Sequence, residues 1–191
     1  MRIFLLDNYD SFTYNLVHAL SSLTGESVTV QLNDEVDFDE VAKHDRIVLS
    51  PGPGLPSQAG KMKDLIGRFS LTHSILGVCL GHQALAEYFG ARLMNLPVVH
   101  HGVSHTITHN GAEAESRLFR GLSPTLEVGR YHSWAVAEGK LPSVLKVTAR
   151  DREGVIMALE HQNLDICGVQ FHPESVLTPQ GKAILSNWLS S

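Results

Sequence analysis

One ten-residue stretch, Ser74-Ile-Leu-Gly-Val-Cys-Leu-Gly-His-Gln83, narrows the choice of folds more than any other part of this chain. It starts as an apolar run suited to a buried strand, breaks at Cys79, and continues through Ala84, Leu85, Ala86 and Tyr88 in a helical pattern. A strand that passes straight into a helix is the repeating unit of an α/β sheet. Gly77 and Gly81 stand two residues to either side of Cys79, the spacing of a nucleophile elbow with sulfur in place of the serine oxygen. The reason is steric: so sharp a turn strains its central residue and crowds backbone against the flanking positions. Cys79 then sits at a helix N-terminus, whose partial positive charge favours a thiolate. Gln83, one turn later on the same face, leans back toward the N-terminus, within reach of anything bonded to the sulfur. A free cysteine is more often a buried structural residue, so the elbow alone does not make Cys79 a nucleophile.

The first half of the chain repeats the same unit. Residues 2–6 read as a buried strand leaving through a polar loop, Asp7 to Asp10. Asp10 or Ser11 is placed to cap a helix that carries Phe12, Leu16, Val17 and Leu20 on one side and ends at Gly25. Val28-Thr-Val-Gln-Leu32 resumes as a strand and Asp37 to Lys43 as a short helix. Arg46-Ile-Val-Leu-Ser50 is a third strand, running into Pro51-Gly-Pro-Gly54. This alternation predicts a three-layer α/β fold, a mostly parallel open sheet with helices on both faces. Sites in such sheets gather at the carboxyl ends of strands. The exits at Asp7, Pro51 and Cys79 are therefore expected along one edge.

The second half changes character. Short alternating segments at roughly 96–109 and 125–128 precede strands near 144–150, 155–161 and 165–171. The turn signals Asp151-Arg-Glu-Gly154 and Asn163-Leu-Asp165 join the last three into a small antiparallel meander. Thr178-Pro179 reads as the cap and first turn of a closing helix with Ile184, Leu185, Trp188 and Leu189. At 191 residues the chain fits one domain, residues 1–191. A net charge of -5 without any Lys/Arg cluster argues against nucleic acid as a partner. The apolar run Ile3 to Leu6 meets Asp7 too early for a targeting or membrane segment. Two cysteines, Cys79 and Cys167, fit free thiols in a reducing, cytoplasmic setting.

A cysteine nucleophile needs a base, and the base needs an orienting group. His172-Pro-Glu174 follows the apolar strand that ends at Phe171, and Pro173 keeps His172 extended. Residues 172 and 174 of an extended segment point to the same side, so Glu174 can fix the tautomer of His172. The alternative is a surface loop with an unrelated His and Glu. Gly52 and Gly54 do not make a nucleotide loop: no Gly-x-Gly-x-x-Gly starts at either, and Met62 stands where a Walker loop needs a hydroxyl. A backbone N–H from Gly52, paired with that of Leu80, suits an oxyanion hole instead. His100, His101, His105 and His109 lack a carboxylate or cysteine at ligand spacing, so they read as solvated or partner-facing rather than as a metal site. Cys167 lies on the opposite strand face from His172 and reads as core, while Tyr131-His-Ser-Trp134 is a polar, aromatic stretch between strands.

Five motifs then fall in a familiar order: Asp7-Asn-Tyr-Asp-Ser-Phe-Thr13, Ser50-Pro-Gly-Pro-Gly54, Cys79-Leu-Gly-His-Gln83, Arg130-Tyr-His-Ser133 and Gly168-Val-Gln-Phe-His-Pro-Glu-Ser175. Over essentially its whole length the chain resembles the class I, triad-type glutamine amidotransferases, whose sheet is flavodoxin-like. Its first two motifs look most like those of the small subunits of anthranilate synthase and aminodeoxychorismate synthase. The resemblance implies a Cys79–His172–Glu174 triad hydrolysing L-glutamine, with the oxyanion held by Gly52 and Leu80. It implies substrate contacts from Gly54, Gln83 and the Ser133–Trp134 backbone. It also implies a larger chorismate-binding synthase partner that receives ammonia, and no cofactor, metal or membrane. Two departures stand out: Val103 replaces the usual lysine after His-Gly, which bears on coupling to the partner, and Trp134 replaces an aliphatic residue. The rival readings are a non-catalytic regulatory module, against which the intact triad and glycines argue, and a stand-alone cysteine hydrolase acting on another amide.

Overall fold

A computed structural model of the chain describes residues 1–109 and 116–190. Strand β1 (Ile3–Asp7) is buried throughout, and its period of two divides the core. Ile3 and Leu5 face one cluster of buried side chains, Phe4 and Leu6 another. Helices α1 (Thr13–Thr24) and α5 (Gly181–Leu189) cover the first side through Leu16, Leu20, Ile184, Leu185 and Trp188. Helices α3 (Met62–Phe69) and α4 (Leu80–Tyr88) cover the second through Met62, Leu65, Ile66, Ala84 and Leu85. Each fully buried Leu or Ile in these layers stabilises the fold by roughly 1.5–3 kcal/mol relative to exposure.

Strands β2 (Val28–Leu32), β3 (Arg46–Leu49) and β4 (Ser74–Val78) lie parallel with β1, and β11 (Ile166–Val169) lies parallel against β4. Antiparallel strands β10 (Ile156–His161), β9 (Leu145–Asp151), β6 (Val103–His109) and β7 (Thr125–Arg130) then prolong the same sheet. Its order is β2-β1-β3-β4-β11-β10-β9-β6-β7. A separate ribbon pairs β5 (Leu93–Asn95) with β8 (Trp134–Val136). The three-layer α/β architecture expected from the alternating pattern is thus present, with the antiparallel strands continuing the main sheet. None of the described helices is long and apolar enough to cross a membrane.

Several local expectations need correction. Neither Asp10 nor Ser11 caps α1, whose N-cap is Phe12; the Asp10 carboxylate instead accepts the Phe12 N–H at 2.8 Å and turns the loop. Phe12 leaves the helix face and packs on the ring of His172. Thr178 does not cap α5, which starts three residues later behind Gln180, because its hydroxyl is taken by the backbone of Gly129 and His172. The helix expected from Asp37 to Lys43 is the single turn α2 (Phe38–Val41), capped by the Asp37 carboxylate accepting from Asp39 N–H at 2.9 Å. Helix α3 carries the i, i+3, i+4, i+7 signature Met62, Leu65, Ile66, Phe69, which the sequence reading passed over.

Candidate active site

The elbow is built by close packing. Cys79 has φ 51° and ψ −100°, a left-handed strained conformation that costs about 1–3 kcal/mol. What imposes it is visible on either side. A Cβ on Gly77 would lie 2.5 Å from the carbonyl carbon of Gly81, and one on Gly81 would overlap the Leu49 carbonyl oxygen at the end of β3. Cys79 N–H donates to Val169 O at 2.8 Å, and Gln83 N–H donates to Cys79 O at 3.0 Å, which begins α4. Residues Leu80 to Ala86 of that helix are all buried, so the turn is held by core rather than by a loop. The exits of β1 and β3 lie side by side, with Asn8 N–H donating to Ser50 Oγ at 2.8 Å.

His172 comes to this edge from the exit of β11. Its N–H donates to Gly129 O at 3.1 Å on β7, and its carbonyl accepts the Thr178 hydroxyl at 2.6 Å. The same hydroxyl accepts the Gly129 N–H at 3.0 Å. The imidazole lies between Phe12 and Tyr131, with ring centroids 5.7 and 4.8 Å away. Nδ1 is 2.7 Å from Glu174 Oε1, and both side chains are buried. Burial by itself would lower the pKa of His172. Hydrogen bonding and charge from Cys79, followed by those from Glu174, outweigh it and push the imidazole up to about 10. Among the described residues Nε2 has no well-aligned partner, so its hydrogen bond with the Cys79 sulfur is a loose one. The sulfur also accepts a hydrogen bond from Gln170 Nε2 at 3.6 Å.

In front of the sulfur lies a cleft of about 180 Å³, lined by Gly52, Pro53, Gly54, Cys79, Leu80, Gln83, Tyr131, His132, Ser133 and Trp134. All the substrate and oxyanion residues expected from sequence line it. Gly52 fits because a Cβ there would meet Asn8 Cβ at 2.5 Å and Leu80 Cδ2 at 2.9 Å. Gly54 adopts φ 75°, which favours glycine. Leu80 opens α4, where the first N–H groups have no intrahelical partner. Gln83 differs from expectation in one respect: its amide nitrogen is committed to Trp134 O at 2.8 Å and Gln170 Oε1 at 3.1 Å, so that group braces the cleft wall.

Sequence reasoning gave Phe12, Tyr131, Gln170 and Thr178 no role at the site. Phe12, Tyr131 and Gln170 lie inside the quoted motifs and Thr178 just beyond one, yet only the tertiary packing puts them on the triad. The histidine cluster is corrected as well. His100 and His109 are buried, not solvated: His109 stacks on Phe119 at 4.8 Å, and His100 packs against His105 and His132. Cys167 is buried and burial pushes its thiol pKa up.

A thiol on a strained strand-to-helix turn, with a buried imidazole–carboxylate pair across a cleft, defines a class: enzymes that open an amide or ester by cysteine attack. The family model described as glutamine amidotransferase class-I matches residues 4–191, and the chain belongs to that family. It is 44% identical over 191 residues to the aminodeoxychorismate/anthranilate synthase component 2 of Bacillus subtilis, covering 99% of this chain and 96% of that one. It is also 42% identical over 192 residues to the bifunctional protein TrpGD of Thermotoga maritima. That match covers 99% of this chain but only 32% of the longer protein. A solved glutamine amidotransferase from Thermotoga maritima superposes with a TM-score of 0.74 at 15% identity, covering 100% of this chain and 96% of that one; at that identity the likeness speaks for the fold alone.

Proposed function

We propose that this chain is a cytoplasmic glutaminase subunit that hydrolyses L-glutamine and passes ammonia to a larger chorismate-using synthase, first of all anthranilate synthase. The sulfur of Cys79 attacks the side-chain amide carbon, and the oxyanion is held by the backbone N–H groups of Gly52 and Leu80. His172, kept protonated by Cys79 and Glu174, gives its proton to the departing nitrogen as the C–N bond breaks. Water then attacks the glutamyl thioester while His172 takes its proton, and the C–S bond breaks to release glutamate and leave the sulfur anionic beside the reprotonated His172. Gly54, Gln83 and the Ser133–Trp134 backbone hold the substrate. The observation that carries the reading is the convergence of the strained Cys79, the His172–Glu174 pair at 2.7 Å and one cleft.

The Bacillus relative bears both enzyme names, which favours aminodeoxychorismate synthase, or a subunit serving both, as the second reading. Purifying the chain with its native partner and supplying chorismate and glutamine separates them by product. The Cys79→Ser variant should lose glutamine-dependent turnover while the complex still works with ammonium. Glutamine-dependent turnover at the native rate by that variant would refute the proposal.

A further inference from the structure

At the cleft wall, the end of β7 and the residues just after it turn two side chains into a buried polar layer that the reaction above leaves unused: His132, which lines the cleft, and Arg130 behind it. Arg130 is wholly buried, with Nη1 2.5 Å from Asp151 Oδ2. Its Nε lies 3.1 Å from His132 Nε2, and Nη1 also lies 3.2 Å from His105 Nδ1. On the far side of the same ring, His132 Nδ1 lies 2.8 Å from the Trp134 carbonyl oxygen. These contacts admit one arrangement of protons. A guanidinium has donors and no acceptor, so His132 Nε2 must accept. A neutral imidazole that accepts at Nε2 carries its hydrogen on Nδ1, and Nδ1–H is then the donor to Trp134 O. That carbonyl also accepts from Gln83 Nε2 at 2.8 Å, so two converging donors occupy it. The preceding carbonyl, of Ser133, accepts from Leu96 N–H at 2.7 Å.

We infer that His132 is a positioning residue, its tautomer set by Arg130, which locks the Ser133–Trp134 wall of the cleft in the form that receives substrate. The inference rests on the glutamine-hydrolysis reading and adds a specific device to it. The anchor is firm, because Asp151 also accepts the N–H groups of Glu153 and Val155 at 2.9 and 2.8 Å. A second proton on His132 would set an N–H against the Arg130 N–H. Burial, and then the Arg130 charge, hold this imidazole down to about 3, so it stays neutral wherever the protein works. His132 does not touch the sulfur through any hydrogen bond. Its effect on the reaction runs through the wall, and losing a wall contact that is equal in ground and transition states raises KM and spares kcat.

Two measurements test this. In the full chain labelled with 15N-histidine, the resonances that vanish in His132→Gln identify this ring. They should report hydrogen on Nδ1, none on Nε2, and no titration between about pH 5 and 8. Hydrogen on Nε2, or a titration in that range, overturns the inference whatever the enzyme does. In the complex with its synthase partner, His132→Leu should raise the glutamine KM by roughly tenfold or more with kcat changed less than about threefold. His132→Gln can accept from Arg130 through its oxygen and donate to Trp134 through its nitrogen, and should recover most of the native KM. Equal defects in the two variants, or a fall in kcat at unchanged KM, also overturn it. A native complex with no glutamine-dependent activity would sink the functional reading instead, and the tautomer measurement keeps the two failures apart.

Discussion

His82 is the buried group whose removal has the most readable consequence. It follows the elbow by three residues on α4, is fully buried, and among the described residues neither ring nitrogen has a well-aligned hydrogen-bond partner, the Gly168 backbone giving only a weak contact. Gly168 on β11 must be glycine partly to admit it, since a Cβ there would lie 2.8 Å from His82 Nδ1. Burial lowers its pKa from the ordinary 6.5 to about 4, with the Gly168 backbone pulling weakly the other way. The unfolded chain therefore binds a proton near pH 6.5 that the folded chain refuses until about pH 4, so stability is present above 6.5 and is lost as pH falls. At pH 5 the two binding curves differ by about 2 kcal/mol, while at pH 8 they coincide. His82→Leu removes the proton-binding site and the poorly paired buried nitrogens at similar volume. It should gain on the order of 1 kcal/mol at pH 8 and about 2 kcal/mol more at pH 5. Urea unfolding of both proteins at the two pH values, followed by far-UV circular dichroism, reads this directly, and the other histidines cancel in the difference. An equal gap at both pH values would refute the linkage. A loss at pH 8 would refute the packing argument, since it would mean the imidazole has a partner.

Other substitutions separate the parts of the site. Gly81→Ala, whose Cβ would overlap the Leu49 carbonyl, should cost about 3 kcal/mol or more in thermal unfolding. Gly139→Ala meets nothing within 4 Å and should stay within about 0.5 kcal/mol of native. Glu174→Gln removes the charge that helps raise His172, so that imidazole should titrate at lower pH by NMR and glutamine-dependent kcat/KM should fall roughly a thousandfold. Thr178→Val keeps the shape but leaves the Gly129 N–H and His172 carbonyl without their shared hydroxyl, costing about 1–3 kcal/mol by denaturant titration and lowering kcat.

What was legible in the sequence follows from how local its cause is. The continuous apolar run of β1, the change of period at Cys79 and the glycines beside it each report an interaction within a few residues, and the structure has them where strand exits gather. The step from His172 to Glu174 is local in the same sense. The ribbon β5–β8 was not legible: each strand has three residues, Met94 and Asn95 face solvent, and the pairing spans some forty residues of intervening chain. Thr178-Pro179 shows the same limit from the other side. Its residues fit a helix cap by propensity, but the hydroxyl is drawn to Gly129 and His172, and α5 starts later as a result. A buried backbone donor and acceptor left unmet would cost more than a helix gains from one cap, so tertiary demand prevails. The same competition explains why the sequence pattern points to Cys79, His172 and Glu174, and the resemblance to further cleft residues, while Gln170, Thr178 and Arg130, which hold those groups from behind, and His132 in the cleft wall carry no role there: their partners are chosen by strand order, and strand order is not a local property.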